Sequence, residues 1–353
     1  MPHFVHNRCY QPWTTKFTQA PQLKSFGEGR ARFGLLPIVL FSTLPAAFSW
    51  GNAMRVSGFS IIRDAVRFDY PFLESIRSVL PLVDEFVIAV GDCEDGTCER
   101  LQQIDSPKLR ILRTVWDETL RRGGQVMAQQ TNLALKKCTG DWCFYLQGDE
   151  VVHEEDHTRI HQAMQHHWQD HRVDGLTFRY HHFYGSYGLV NPTAYRRQVR
   201  IIRNHAGIHS VGDACGFAAG ERKLRCRDTG AWIYHYGWVR EPAVMGRKLA
   251  KFRGFYWDSI RGNTPATALP QVETAARYEY ETEVCVPFSG THPAVMHDRI
   301  AAQDWPEPEY KYTPAWRNLP RWDRFLQKNF ATIYRRLPRG KHLTSGKAHR
   351  RAA

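Results

Sequence analysis

Phe144-Tyr145-Leu146-Gln147-Gly148-Asp149-Glu150 (FYLQGDE) is apolar as far as Leu146 and then ends in two adjacent carboxylates. The apolar part reads as a buried strand. Two readings of its ending are open: a solvated turn, or a seat for a divalent cation. Which applies depends on what the rest of the chain brings to that strand tip.

Working outward, strand and helix alternate from Met54. Residues 56–62 (VSGFSII) predict a first strand. Residues 69–83 predict a helix, with Pro71 in its first turn and Leu73, Ile76, Val79 and Leu80 on one face. Residues 84–91 (DEFVIAVG) are continuously apolar after the two acids, as a parallel strand buried on both faces requires. A turn at 92–97, a short helix at 98–104 and a third strand at 108–114 follow. A helix is expected at 125–138 after Gly123-Gly124, and then the fourth strand at 142–147. Single helices between strands imply right-handed crossovers and a mostly parallel sheet. Beyond Glu150, a polar helix at 154–169 precedes strands at 173–185, 196–204 and 231–239, which suggest a mixed or antiparallel part. A helix near 241–260 comes next. His157, His161 and His171 are dispersed at the surface in and just after this helix and do not read as a metal site. The expected class is therefore α/β: a Rossmann-like sheet flanked by helices, with a mixed part and C-terminal helices.

With 353 residues, 42% hydrophobic and 13% aromatic, the chain has the material for a sizeable core. Its net charge of +13 is uneven. Residues 311–353 hold 12 Lys/Arg against 1 acid, residues 1–55 hold 6 against 1, and residues 56–310 hold 30 against 33. A near-neutral body argues against specific nucleic-acid reading by the folded part, while a basic tail suits an anionic surface. In 321–337, Trp322, Phe325, Leu326, Phe330, Ile333, Tyr334 and Leu337 share one helical face and five arginines and lysines take the other. Two readings are open: a helix packed on the core, or one lying on anionic lipid through 321–351. The only long apolar run, 33–50, follows Arg30 and Arg32, contains Pro37 and Pro45, and is marginal for a bilayer span. It reads either as a membrane segment or as an extension upstream of a start at Met54. The eight cysteines form no Cys-x-x-Cys pair, which argues against a structural zinc site and points to reduced thiols in a cytoplasmic protein, peripheral at the inner membrane face at most.

In open parallel sheets ligands sit outside the carboxyl ends of the strands. Arg63-Asp64, Asp92 with Asp95, and Asp149-Glu150 all fall there. Acidic turns gathered at one rim repel unless a cation lies between them. Arg121 and Arg122 precede a helix that starts after two glycines, an arrangement suited to phosphate.

The segment IAVGDCEDGT (88–97), followed about 50 residues later by FYLQGDE, resembles the nucleotide-sugar half of the family 2 glycosyltransferases. The resemblance covers roughly 56–240. It implies a GT-A fold and a hexosyltransferase-like activity that takes a sugar from a nucleotide-diphosphate donor to a glycan or lipid-linked acceptor, as in cell-envelope synthesis, with inversion. It implies a Mn2+ or Mg2+ cofactor, with Asp149 as the main metal carboxylate of a degenerate acidic triplet. Gln147 stands at the triplet's first position and Glu150 at its last. Asp95 belongs to the D-G-T turn. Gly91 stands where a base-binding Asp is common, with Asp92 beside it. His235, on a late strand, is the second metal ligand the resemblance suggests.

Around these, Arg63, Asp92, Asp95, Arg122 and Arg200 are expected at the substrate, and Asp213 is the leading candidate for the base that takes the acceptor proton. Glu150 and Glu154 are alternatives for that base. Arg200 and Arg203 are expected to face either substrate or water. The aromatic stretches 179–188 and 232–238 serve either sugar stacking or core packing, and 288–296 reads as a loop able to close over the site. On this reading 1–53 is an extension, 54–260 the GT-A-like domain, 261–337 a loop and amphipathic helical region, and 338–353 a basic tail. Competing functions are a sugar nucleotidyltransferase, disfavoured by the lack of a Gly-rich signature after the first strand, and a membrane- or nucleic-acid-binding protein with an inactive sheet domain.

Overall fold

The structure is a computed structural model that describes residues 53–194, 196–204, 207–258 and 271–310. Four parallel strands set its frame: β1 (Val56–Ile62), β2 (Glu85–Val90), β3 (Leu109–Arg113) and β4 (Trp142–Tyr145), with β1 between β4 and β2, and β3 outside β2. Alternate residues face opposite layers. Phe86, Ile88 and Val90 of β2 join Val56, Ile62, Trp142, Phe144 and Leu146 in one core, whereas Val87 and Ala89 join Phe59, Cys143 and Tyr145 in the other. Each such fully buried aromatic or aliphatic side chain contributes about 1.5–3 kcal/mol.

Helices cover both faces. α1 (Phe72–Val79) and α2 (Thr97–Gln102) contribute Ile76, Val79 and Leu101 to the first core, and α4 (His157–His167) adds Ile160 and Met164. α3 (Gln125–Leu135) places Val126, Met127, Ala134 and Leu135 in the second.

The sheet then turns mixed. β6 (Gly175–Tyr184) and β8 (Arg197–Arg203) continue it antiparallel from β4, and β7 (Ser186–Val190) pairs with β6. The long strand β11 (Cys226–Trp238) lies parallel to β6 and also pairs with β5 (Glu150–Val152). β9 (Ile208–Val211) and β10 (Gly216–Ala219) form a separate hairpin whose turn carries Asp213. After β11 come α5 (Pro242–Phe255) and a segment with a two-residue strand, Val286–Pro287, and a short helix, His297–Ala301. This is a mixed α/β architecture of the GT-A-like kind.

The expected elements of the parallel half are present with shorter ends: the fourth strand stops at Tyr145, and the helix after it begins as a single tight turn, Glu154–Asp156. The seven described cysteines are free. No helix among the described residues is long and apolar enough to cross a membrane. The amphipathic segment 321–337, the basic tail and the run 33–50 lie outside the described residues.

Candidate active site at the carboxyl rim of the sheet

Asp149 sits in the turn between β4 and β5. That turn is anchored on both sides: Ser60 Oγ donates to Leu146 O at 2.5 Å, Ser75 Oγ to Gln147 O at 3.0 Å, and the Tyr236 amide to Asp149 O at 2.8 Å. Gly148 fits against Ile62, whose Cδ1 would lie 2.6 Å from any added Cβ. The side chain of Asp149 is thereby held at the end of the sheet, 8% exposed.

Three groups gather on it. Lys248 of α5 puts its Nζ 3.3 Å from Asp149 Oδ2 and donates to Gly237 O at 2.8 Å. His235 Nε2 lies 3.7 Å from Asp149 Oδ1, beyond hydrogen-bond range. Its ring stacks on His182, centroids 4.5 Å apart. Arg240, fully buried, also donates to Gly237 O and lies 5.0 Å over the Tyr70 ring, which Lys248 approaches at 4.8 Å.

The electrostatics follow. Burial acts to raise the Asp149 pKa, but Lys248, His235 and Arg240 outweigh it and hold the carboxyl below its ordinary value. Burial lowers His235, with Asp149 and Glu150 pulling the other way. Burial and Arg240 bring Lys248 down to about 7, with Asp149 pulling the other way.

These residues suit a divalent ion. A carboxylate oxygen and an imidazole nitrogen lie 3.7 Å apart, and both side chains pack closely on Gly237, where a Cβ would lie 2.7 Å from Asp149 Oδ2 and His235 Nε2. No group of three or more His, Cys, Asp or Glu placed to hold a metal occurs among the described residues. An ion here would take two protein ligands and complete its shell with phosphate oxygens and water, as Mg2+ commonly does.

Glu150 takes a different path. Its carboxylate receives Arg200 Nε and Nη2, both at 2.7 Å, and Tyr180 OH at 2.9 Å. Glu150 and Arg200 are each 1% exposed. The expectations of Glu150 as a base and Arg200 as a substrate contact find no support in this placement, because both are committed to each other. Arg203 faces neither substrate nor water: it donates to Val173 O, His167 O and Asp170 O and lies 4.3 Å from the centre of the Trp142 ring.

The other acidic turns need no cation to coexist. Asp95 accepts from the amides of Arg67 (2.7 Å) and Thr97 (3.1 Å) and from Thr97 Oγ1 (2.6 Å), so the D-G-T turn ties the loop after β1 to the start of α2. Asp92 accepts from the Trp116 amide and lies 3.4 Å from Arg63 Nη2, while Arg63 Nη1 reaches Glu118 at 2.6 Å. Arg63, Asp92 and Asp95 thus knit the rim together. Between the ends of β2 and β3 lies a cleft of about 330 Å3 lined by Val90, Gly91, Asp92, Arg113, Thr114 and Val115. Arg122 is exposed in the turn before α3.

Asp213 reaches the rim from the hairpin. It packs on Gly124 at the start of α3, accepts from Tyr256 OH at 2.8 Å, and is followed by Ala214, whose carbonyl accepts from Gln147 Nε2 at 3.4 Å. The aromatic stretches are core. His181 stacks on Trp232 and Phe183 on Tyr236, on the face of β6 and β11 opposite His182 and His235. Phe288 and His292 pack on that aromatic face, so 288–296 covers it rather than Asp149.

Lys248, Arg240 and Tyr70 were absent from the sequence reading. Lys248 had a signal: it lies on the helical face of Met245, Phe252 and Phe255, where a charge needs a buried partner.

The fold and rim together define an α/β protein with a carboxylate–imidazole–ammonium cluster at the sheet's carboxyl edge. No family model matches the chain, and no curated protein does. Similar solved structures include S. aureus TarS, at 11% identity over 61% of this chain and 41% of that one, with a TM-score of 0.34. TarS 1–349 in complex with UDP matches at 12% over 62% and 70%, TM-score 0.37. The same protein in complex with UDP-GlcNAc matches at 14% over 56% and 66%, TM-score 0.36. The chain spans less than half the length of the first of these. Likeness at this level transfers no residue role and no substrate.

Proposed function

We propose that this chain is a glycosyltransferase that moves a sugar from a nucleotide-diphosphate donor to a glycan or lipid-linked acceptor, with inversion at the anomeric carbon. The observation that carries the reading is the meeting of Asp149, His235 and Lys248 at the same rim as the cleft between β2 and β3. With strands about 4.8 Å apart, the span from that cleft to the end of β4 is roughly 12 Å, suited to an extended nucleoside diphosphate. The base would enter the cleft and the diphosphate would reach Asp149.

Asp149 and His235 would hold Mn2+ or Mg2+. When bound, such an ion supplies charge neutralisation for the departing diphosphate. Arg240 adds fixed positive charge beside it. Asp213 takes the proton of the acceptor hydroxyl, oriented by Tyr256 OH. The lipid-linked acceptor class is motivated by the basic amphipathic segment 321–337.

The test is hydrolysis or transfer across a panel of sugar nucleotides in Mn2+, with Asp213→Asn beside the unaltered protein. The variant is expected to lose 10²–10⁴-fold in turnover and to keep donor affinity within about threefold. Equal turnover in the variant contradicts the role of Asp213, and a panel with no turnover at all contradicts the activity.

A further inference from the structure

Lys248 is a buried ammonium at the one carboxylate expected to hold a metal ion. Its Nζ lies on Asp149 Oδ2, and His235 faces the other oxygen, Oδ1. The lysine is not stranded there. It donates to Gly237 O at 2.8 Å, and the rings of Tyr70 and Phe252 lie 4.8 and 5.5 Å from it. Its helix is fixed in turn, since Gly246 leaves α5 in close contact with Ala276.

A buried carboxylate without a counter-charge is costly. Asp149 therefore has a cation whether or not a metal is bound. An ammonium and a divalent ion on one carboxylate also repel strongly in a site shielded from water. Gly237 joins the groups of the site: its carbonyl holds Lys248, and its missing side chain lets Asp149 and His235 pack on its backbone, where a Cβ would lie 2.7 Å from Oδ2 and Nε2.

We propose that Lys248 is the placeholder cation of this site: it occupies Asp149 in the metal-free protein, competes with the divalent ion for that carboxylate, and yields it when the ion enters. This rests on the metal-assisted reading above and names a positioning residue that sets its metal affinity.

The test is direct Mn2+ binding to the full chain without nucleotide, followed by electron paramagnetic resonance. The unaltered protein is compared with Lys248→Met and with Lys248→Gln, which keeps a donor for Gly237 O without the charge. Asp149→Asn is the control for the site. Competition predicts Mn2+ binding at least tenfold tighter in the folded Lys248 variants, and its loss in Asp149→Asn. The Gln variant keeps the test open if the Met variant does not fold. Equal or weaker binding in the Lys248 variants overturns the placeholder role while leaving the metal site standing. Absence of Mn2+ binding in all forms overturns the metal site and this inference with it.

Discussion

Glu150 and Arg200 form a two-pronged ion pair, Nε to Oε2 and Nη2 to Oε1, each at 2.7 Å, one residue along the chain from Asp149. Adjacent carboxylates thus have opposite fates. Glu150 points into the protein and fastens β5 to β8, which leaves Asp149 as the acid presented at the rim. Removing one partner strands a buried charge, so Arg200→Leu is expected to cost about 3–5 kcal/mol. Replacing both with Leu and Gln should cost less than the single change. Chemical denaturation of the three proteins decides it, and additive losses would speak against the pairing.

Gly237 is predicted to be intolerant of the smallest side chain. A Cβ would lie 2.7 Å from Asp149 Oδ2 and from His235 Nε2. Gly237→Ala should fold, since the position needs no positive φ, yet lose at least tenfold in Mn2+-dependent binding of a nucleoside diphosphate. Calorimetric titration gives the number, and unchanged affinity would show that the close packing of Asp149 and His235 on Gly237 plays no part in binding.

Position 91 explains a departure in the sequence. A Cβ on Gly91 would sit 2.6 Å from Trp116 Nε1, and Trp116 is itself packed on Phe255 at 5.5 Å. An acid at 91 is excluded by packing. Gly91→Asp should destabilise by about 1–3 kcal/mol through overpacking, and the same change should cost less in a Trp116→Ala background than in the unaltered protein. Thermal melts of both single variants and the double check this; a fully stable Gly91→Asp would contradict it.

Acid sensitivity should arise at the opposite end of the sheet. Burial acts to raise Glu85, but hydrogen bonds from Ser57 (2.7 Å), Thr139 and Arg110 (2.5 Å) outweigh it and bring its pKa to about 2. A carboxyl depressed on folding contributes stability above its unfolded pKa near 4.5, and that contribution fades as pH falls towards 2. Glu85→Gln should therefore be less stable than the unaltered protein at pH 7, with the gap closing between about pH 4.5 and 2. A gap constant across that range would remove Glu85 as its source.

The parallel half was legible because period-2 burial on two faces leaves continuous apolar runs such as 86–90 and 142–146. The short strands β5, β7, β9 and β10 were not, since three to five residues carry too little periodicity, and β5 forms only by pairing with β11, far along the chain. Asp149 and His235 were readable as a pair only through family resemblance; the register of β5 with β11 is what places them together. Lys248 escaped because a lysine on a helix is ordinarily solvated, and only the packing of α5 buries it. Arg200 and Arg203 escaped for a related reason: alternation marks a face but does not say that the face is sealed.

The most direct measurement is calorimetric binding of UDP, GDP, ADP and CDP to the full chain in Mn2+ and in excess chelator, with Asp149→Asn alongside. The account predicts that at least one nucleoside diphosphate binds, at least tenfold tighter in Mn2+, and that Asp149→Asn abolishes this metal-dependent gain while remaining folded. Binding indifferent to both Mn2+ and Asp149, or no binding to any of the four, would contradict it.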